Sequence, residues 1–403
     1  MIKKLILSVL IQSLGTISSF CTIWFITNQI GIFEQGNFAI IKSWIDFLIV
    51  LGCFGFPQSV IYIINKYKLP HYLLLHAFNR YLLILSVPLF LLTISWSVYY
   101  NSLYITFFYS FMVTIASILL ISHGLLRGIY LTVDDGATFS IITATPAIFL
   151  FISIALLNYL DIYNIFVAYF ISSLISYLAI RTLLYTKITR SKTIKKTLIP
   201  WRELIIKGFS AFIQALSLTI FPIITYAILY RSDISTYEIG GFNIALYFYM
   251  ILAIPFSMIS PILFNRWMKE KNKNICRREV NTFLCFSLIL LFLPVILLPA
   301  ADHIIPIFFN IKNDEISYIT TPLSILFFAA TPLLITRIIT PYFLSNGEFH
   351  TNTIYYLLKV ILCSLSMIIL FIFELVSITS ISWIWFFGDL ILAILFLIKY
   401  YQS

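Results

Sequence analysis

Long apolar runs follow one another along almost the whole chain, and they restrict the fold more than any other feature. A helix needs about 20 mainly apolar residues to cross the hydrocarbon core of a bilayer. Twelve runs approach or exceed this length. They are 5–27, 38–64, 81–99, 103–122, 139–157, 162–184, 208–230, 241–264, 281–309, 319–344, 352–375 and 379–398. With 61% hydrophobic and only 10% charged residues, the chain is predicted to be an all-α, polytopic integral membrane protein, and a soluble globule is excluded.

The positions of Lys and Arg predict how the chain is oriented. When the two termini, the segments between the runs and the adjoining run ends are divided into two alternating sets, one set contains 21 of these residues and the other contains 2. Cytoplasmic loops collect Lys and Arg. We therefore expect a multi-pass protein of a plasma membrane with both termini in the cytoplasm. The basic residues are spread over many loops, so no nucleic-acid-binding surface is predicted.

A weak internal repeat indicates that the chain consists of two halves with the same arrangement of helices. A shift of 204 positions superposes residues of the second run on residues of the eighth. The matched pairs are Glu34 and Glu238, Gly36 and Gly240, Phe38 and Phe242, Ile40 and Ile244, Leu48 and Leu252, and Pro57 and Pro261. Six spans in each half give both copies the same orientation. We predict two six-helix bundles, 1–184 and 208–403, related by a pseudo-two-fold axis and joined by a basic cytoplasmic linker, 185–207.

Five ionisable residues lie at membrane depth, where a charge is costly and therefore suggests function. Lys42 and Asp46 are four positions apart on one predicted helix, so they can form an ion pair that is either structural or functional. Arg337 and Lys359 lie close enough to the ends of their spans to reach the interface by snorkelling. If Arg337 and Lys359 face inward instead, they and Lys42 form a set of three cations that suits an anionic head group. Asp389 lies deep in its span and requires a partner, for which Lys359 is a candidate. Asp46 and Asp389 are the candidates for ion coupling.

Uncharged residues add further candidates for a substrate cavity and for hinges. Gln12 and Gln214 recur at a shift of 202 positions, which favours equivalent places in the two halves. Asn243 is the third polar candidate, although such residues commonly only join membrane helices. Pro57 and Pro261 are matched in the repeat, and we predict that they are hinges.

No motif for covalent chemistry is found. The sequence has no G-x-x-x-x-G-K-[ST] loop and no H-E-x-x-H, and the five cysteines and five histidines do not cluster. We therefore expect no cofactor, no metal site and no enzymatic activity.

Four segments resemble a known family. They are GIFEQGNFAIIKSW, GCFGFPQSVIYIINK, LLRGIY and GGFNIALYF. They are similar to the Wzx-type flippases of O-antigen and related surface polysaccharides, in the superfamily that also contains the multidrug and toxin extruders and the lipid II flippase. The resemblance implies two bundles around a central cavity and a location in the bacterial inner membrane.

By this resemblance, the substrate is a polyprenyl diphosphate-linked oligosaccharide that moves from the cytoplasmic to the periplasmic leaflet by alternating access. By the same resemblance, Lys42 falls in the family's cationic cavity. Arg337 and Lys359 are further candidates for this cavity. Membrane lipid and other polysaccharide-assembly proteins, such as a polymerase or a chain-length regulator, are the implied partners. The alternative is an ion-coupled exporter of drugs or other cations with the same fold. A polymerase or ligase is disfavoured because the outer loops are short.

Overall fold

The computed structural model describes residues 2–99, 107–133, 137–157, 162–188, 199–232, 234–270, 272–289, 292–311 and 315–402. Within these ranges the chain is almost entirely α-helical and contains no β-strand. The helices are α1 (Ile2–Gln29), α2 (Ile32–Cys53), α3 (Phe56–Tyr67), α4 (His71–Tyr99), α5 (Phe107–Val133), α6 (Ala137–Leu156), α7 (Ile162–Ile188), α8 (Trp201–Arg231), α9 (Thr236–Lys269), α10 (Lys273–Ile289), α11 (Phe292–Phe309), α12 (Ser317–Ser345), α13 (Phe349–Ile372) and α14 (Ile378–Gln402). The predicted all-helical membrane fold is confirmed.

Ten helical segments of the described residues are long and apolar enough to cross a bilayer. Each of them overlaps one of the twelve predicted spans. The other two predicted spans fall on α9 and on the pair α10 and α11. The predicted linker lies partly outside the described residues, which omit 189–198, and its last part forms the first turns of α8.

The second predicted span, 38–64, is divided into α2 and α3. The division falls at Phe54 and Gly55, whose φ angles are 45° and 66°. Pro57 follows in the first turn of α3, where its missing N–H group costs no hydrogen bond. Its repeat partner Pro261 lies inside α9, which continues from Thr236 to Lys269. The matched prolines therefore have different local structures, and their role as hinges stays a prediction.

The chain divides into two compact units. Unit 1 comprises Met1–Thr22 and Trp44–Leu216, and unit 2 comprises Ile23–Ser43 and Ser217–Ser403. The boundaries therefore cut α1, α2 and α8. The predicted domains 1–184 and 208–403 differ from this division because packing assigns the end of α1 and the start of α2 to unit 2.

Unit 1 is built around α5, which packs against α3, α4 and α7. The break between α2 and α3 lies against the start of α8 in the same unit. A Cβ atom added to Gly55 would lie 2.0 Å from the carbonyl oxygen of Gly208. Only glycine fits this approach, and the left-handed φ angle also favours it.

Unit 2 is built around α12, which packs against α9, α10, α11, α13 and α14. In the most apolar part of α12, 78% of the residues are buried. This central helix and its neighbours bring together residues that are far apart in the sequence.

The start of α2 crosses the start of α9 through residues that the repeat equates. A Cβ atom added to Gly36 would lie 2.5 Å from the carbonyl oxygen of Thr236, and one added to Gly240 would lie 2.1 Å from that of Ile32. The shift of 204 equates Ile32 with Thr236, so the two contacts are reciprocal. Contacts of this kind are characteristic of a two-fold axis. They support the internal repeat independently of the sequence identities.

Candidate functional site

Unit 2 contains a buried polar cluster formed by Lys359, Asp389 and Tyr249. The Lys359 ammonium group forms an ion pair with Oδ1 of Asp389. The Tyr249 hydroxyl donates a hydrogen bond of 2.5 Å to Oδ2 of the same carboxylate. The exposed fractions of Lys359, Asp389 and Tyr249 are 5%, 0% and 1%. Both carboxylate oxygens are thus paired by groups from two other helices.

Each member of the cluster lies near the middle of a long helix. Tyr249 belongs to α9, Lys359 to α13 and Asp389 to α14. An isolated charge at this depth would be very costly, whereas a paired and hydrogen-bonded carboxylate costs less. Lys359 therefore does not snorkel to the interface, as the sequence alone suggested it could. Its position opposite Asp389 agrees with the partnership that the sequence analysis considered.

Aromatic side chains form the walls of the cluster. The Phe221 ring centroid lies 5.1 Å from the Lys359 ammonium group, a favourable cation–π distance. Trp385 meets Tyr249 edge to face at 6.1 Å between ring centroids. The Trp385 indole also donates a hydrogen bond of 3.3 Å to the hydroxyl of Thr225. These rings limit the access of lipid to the ion pair.

A glycine next to Asp389 makes room for the ion pair. A Cβ atom added to Gly388 would lie 2.4 Å from the Cys363 sulfur and 3.5 Å from Cε of Lys359. Cys363 and Lys359 are one turn apart on α13. Because Gly388 has no side chain, α13 approaches α14 closely enough for Lys359 to reach Asp389.

Arg337 of α12 adds a second positive charge to the surroundings of the cluster. It is half-buried and close enough to Tyr249 to interact with it electrostatically. Arg337 forms no ion pair within the described ranges. Arg337 and Lys359 were both predicted to be cavity cations, and the structure places Lys359 on the Asp389 carboxylate and Arg337 in the surroundings of Tyr249.

The remaining predicted site residues of α2 and α9 are Lys42, Asp46 and Asn243. Asn243 accepts a hydrogen bond of 2.8 Å from the hydroxyl of Tyr226. Lys42 is half-buried, with its ammonium group 5.9 Å from the ring centroid of Tyr247. Asp46 follows one turn later on α2, in the part of that helix that belongs to unit 1, and is also half-buried. Their roles in substrate binding or ion coupling stay predictions.

The two repeated glutamines are placed differently in unit 1. The amide of Gln12 is buried and donates a hydrogen bond of 3.1 Å to the hydroxyl of Ser140 on α6. This contact is typical of polar residues that join membrane helices. Gln214 is half-buried on α8. A role in the substrate cavity is untested for both.

Four residues of this site are not marked by any sequence pattern: Tyr249, Phe221, Trp385 and Gly388. The partners Tyr249 and Asp389 are 140 positions apart, and an isolated tyrosine in an apolar helix has no feature that marks it as a hydrogen-bond donor. In the sequence, these residues are indicated only indirectly, by Asp389. A carboxylate in an apolar helix requires hydrogen-bond donors from neighbouring helices. Among the described residues, no group of three or more His, Cys, Asp and Glu residues is placed to hold a metal ion.

The helical fold and its apolar segments define a multi-pass membrane protein, and comparison with solved structures shows which fold it has. No protein-family model matches the sequence. No curated protein sequence matches it significantly. Solved structures do match, and the matches cover nearly the whole chain.

Three of these solved structures are named as members of the multidrug and toxin extrusion (MATE) family or of the MOP superfamily. The MATE multidrug transporter DinF-BH in complex with rhodamine 6G has a TM-score of 0.73 and 17% identity, covering 100% of this chain and 94% of that chain. An inward-facing multidrug resistance MATE family transporter of the MOP superfamily has a TM-score of 0.71 and 12% identity, covering 99% and 98%.

A third matched structure has a similar fold and is described as having a binding pocket of reverse polarity. It is a MOP superfamily transporter from Pyrococcus furiosus Vc1 (DSM3638), described by its reverse polarity of binding pocket, which suggests a different function. Its TM-score is 0.67 with 13% identity, covering 99% of this chain and 93% of that chain. The chain thus has the fold of MATE transporters.

Proposed function

We propose that this protein is an ion-coupled exporter in which Asp389 and Lys359 link ion movement to transport. The observation that carries the proposal is the ion pair itself, buried at the middle of helices in a fold otherwise known from transporters. Apolar side chains of similar volume would fill the same space without the cost of removing two charges from water. Ionisable groups at this depth are characteristic of ion pathways and coupling sites.

The proton suits this site better than sodium does. Both oxygens of Asp389 already accept hydrogen bonds, one from an ammonium group and one from a hydroxyl. A sodium ion would have to displace Lys359 and would require several further oxygen ligands. A proton, in contrast, binds to a single carboxylate oxygen and requires no further oxygen ligands.

Protonation of Asp389 would change the contacts between three helices. The neutral carboxyl group no longer attracts Lys359 strongly, and one of its oxygens becomes a donor instead of an acceptor. Lys359 and Tyr249 are then released from α14. Such a change favours a different arrangement of α9, α13 and α14, as alternating access requires.

Small organic cations are the substrate class that the comparisons support. Two of the matched structures are described as multidrug transporters, and one of these is a complex with rhodamine 6G. On this proposal the protein lies in a plasma membrane with both termini in the cytoplasm, and it removes such compounds from the cell.

A second candidate function is the translocation of a polyprenyl diphosphate-linked oligosaccharide between the leaflets of a bacterial inner membrane. The specific observation in its favour is Arg337, a cation that forms no ion pair among the described residues and belongs to the same unit as a carboxylate that Lys359 already neutralises. Cations suit a diphosphate better than they suit an organic cation. O-antigen assembly proteins and membrane lipid would then be the partners.

A deletion strain separates the two functions. We expect the strain to become several-fold more sensitive to rhodamine 6G and to regain resistance with the wild-type gene but not with the Asp389→Asn gene. The control is the Leu83→Ala gene, which changes an exposed residue of α4 in unit 1 and leaves the cluster intact. Unchanged sensitivity together with loss of surface polysaccharide would contradict the exporter and support the flippase.

A further inference from the structure

The buried face of α13 carries a line of polar side chains that ends at the ion pair. Its polar members are Asn352, Tyr356 and Lys359, which are spaced by four and three positions and therefore lie on one face of the helix. From Asn352 to Lys359 the helix rises by about 10 Å. Asn352 lies in the first turn of α13, close to the end where α12 and α13 are connected. The line thus joins one end of the helix to its middle.

The middle of this line is a pair of hydroxyl groups. The hydroxyl of Tyr356 lies 3.0 Å from the hydroxyl of Thr340 on α12, and either atom can donate the hydrogen bond. Both residues are almost fully buried, at 1% exposure each. A hydroxyl pair of this kind can reverse its direction without moving heavy atoms, so it can take a proton on one side and release one on the other.

Asn352 has the most unusual environment of the three. Its exposed fraction is 0%, yet among the described residues neither its amide oxygen nor its amide nitrogen has a hydrogen-bond partner. If Asn352 only joined two helices, its amide would bond to a group on the neighbouring helix. Buried polar atoms are nearly always paired, and internal water commonly provides the partner. Tyr356, one helical turn further along the same face, carries the next polar group of the line.

We propose that Asn352, Tyr356 and Thr340 hold internal water and form a proton path between the α12–α13 end and the Lys359–Asp389 pair. This inference rests on the proposed proton coupling at Asp389. Lys359 gives a proton to the Asp389 carboxylate and takes another from the hydroxyl pair, which is replenished by the water at Asn352. Lys359 and the hydroxyl pair each release one proton for each that they accept, Asp389 holds the transferred proton until the transport step releases it, and no bond between heavy atoms changes.

Hydroxyl-radical footprinting by X-ray radiolysis tests the path directly, because it oxidises side chains that lie next to ordered internal water. Wild-type protein is irradiated in detergent, and oxidation is measured by mass spectrometry. We expect Tyr356 to be oxidised at least several-fold faster than Phe78, although Phe78 is also buried, at 2% exposure. Equal and very slow oxidation of both residues would overturn the inference.

Two substitutions at Asn352 separate hydration from structure. Asn352→Leu removes an amide that has no protein partner among the described residues, so we expect an unchanged melting temperature but a several-fold slower oxidation of Tyr356. Asn352→Ser keeps a polar group and leaves room for water, so oxidation should stay near the wild-type rate. Equal oxidation in both variants would contradict a water site at Asn352. If Asn352→Leu does not fold, the comparison of Asn352→Ser with the wild type still decides, since loss of oxidation in Asn352→Ser overturns the inference.

The footprinting result does not depend on transport. Oxidised Tyr356 combined with normal coupling in the Asp389→Asn variant would keep the water site and reject the proposed function. Protected Tyr356 combined with lost coupling in Asp389→Asn would keep the proposed function and reject the path.

Discussion

The ion pair between Lys359 and Asp389 turns two buried charges into one neutral unit with its own hydrogen-bond donor, Tyr249. The contribution of the ion pair to the stability of the folded protein therefore depends on both partners being present. Removal of one partner leaves the other charge alone among apolar side chains, whereas removal of both leaves no charge to stabilise.

A double-mutant cycle tests this dependence. We expect Asp389→Asn to destabilise the protein by about 3–5 kcal/mol because Lys359 is left buried without its counter-ion. Lys359→Met in the same chain should recover much of this loss. The melting temperature in detergent is the measurement, with Asp46→Asn as the control for a carboxylate outside the cluster. Additive effects of the two substitutions would show that the residues do not act as a pair.

Gly388 allows a second prediction about single residues. Gly388→Ala places a Cβ atom 2.4 Å from the sulfur of Cys363, so we expect a loss of about 1–3 kcal/mol from overpacking. Cys363→Ala removes the obstructing sulfur and should restore most of the stability when combined with Gly388→Ala. Thermal unfolding of the three variants is the measurement. Equal melting temperatures of Gly388→Ala and the double variant would contradict the predicted contact.

The sequence was informative about the charged residues of this site and uninformative about its uncharged ones. A buried carboxylate needs a partner, and few cations lie at membrane depth, so Lys359 could be proposed for Asp389 without a structure. Tyr249 and Phe221 could not be found in this way. Many aromatic residues lie in apolar helices, and only the packing of the helices decides which of them face a charge.

Among the helices, the break between α2 and α3 shows how a local sequence signal depends on a distant contact. The sequence Gly-Phe-Pro at residues 55–57 is typical of a helix break, and the structure shows that two separate helices meet there. The close approach of Gly55 to Gly208 of α8 explains why a residue without a side chain is required at this place. The sequence contains the glycines but not the information that they meet.

Alanine at Gly55 tests the importance of this contact, and Gly31 provides a matched control. Both glycines have positive φ angles, 66° and 105°. Nothing lies within 4 Å of a Cβ atom added to Gly31, whereas one added to Gly55 would lie 2.0 Å from a carbonyl oxygen. We expect Gly31→Ala to cost only about 1–2 kcal/mol of backbone strain and Gly55→Ala to prevent stable folding. Similar melting temperatures for the two variants would contradict the close approach of Gly55 to α8.

For the whole molecule, the internal repeat is the feature that sequence and structure describe together. Equivalent residues of α2 and α9 make reciprocal contacts, and the rings of Phe33 and Tyr237, also equated by the shift of 204, lie 5.5 Å apart. The assignment of Ile23–Ser43 to unit 2 was not predictable, because a repeat shows which segments are equivalent but not which of them pack together.

The predicted orientation in the membrane can be tested with single cysteines in a chain whose five native cysteines are replaced. Gln402→Cys, near the C-terminus, should react with a membrane-impermeant maleimide only after the cells are permeabilised. Tyr237→Cys, at the start of α9, should react in intact cells. Both positions are exposed. Labelling of Gln402→Cys in intact cells would contradict cytoplasmic termini.

Proton-driven transport through Asp389 is the central claim, and inside-out membrane vesicles test it most directly. Vesicles containing the wild-type protein should accumulate rhodamine 6G when a proton gradient is imposed and should lose it when the gradient is collapsed with nigericin. Vesicles with equal amounts of Asp389→Asn should show no gradient-dependent accumulation. Accumulation that is the same with and without the gradient, or the same in Asp389→Asn and the wild type, would contradict the claim.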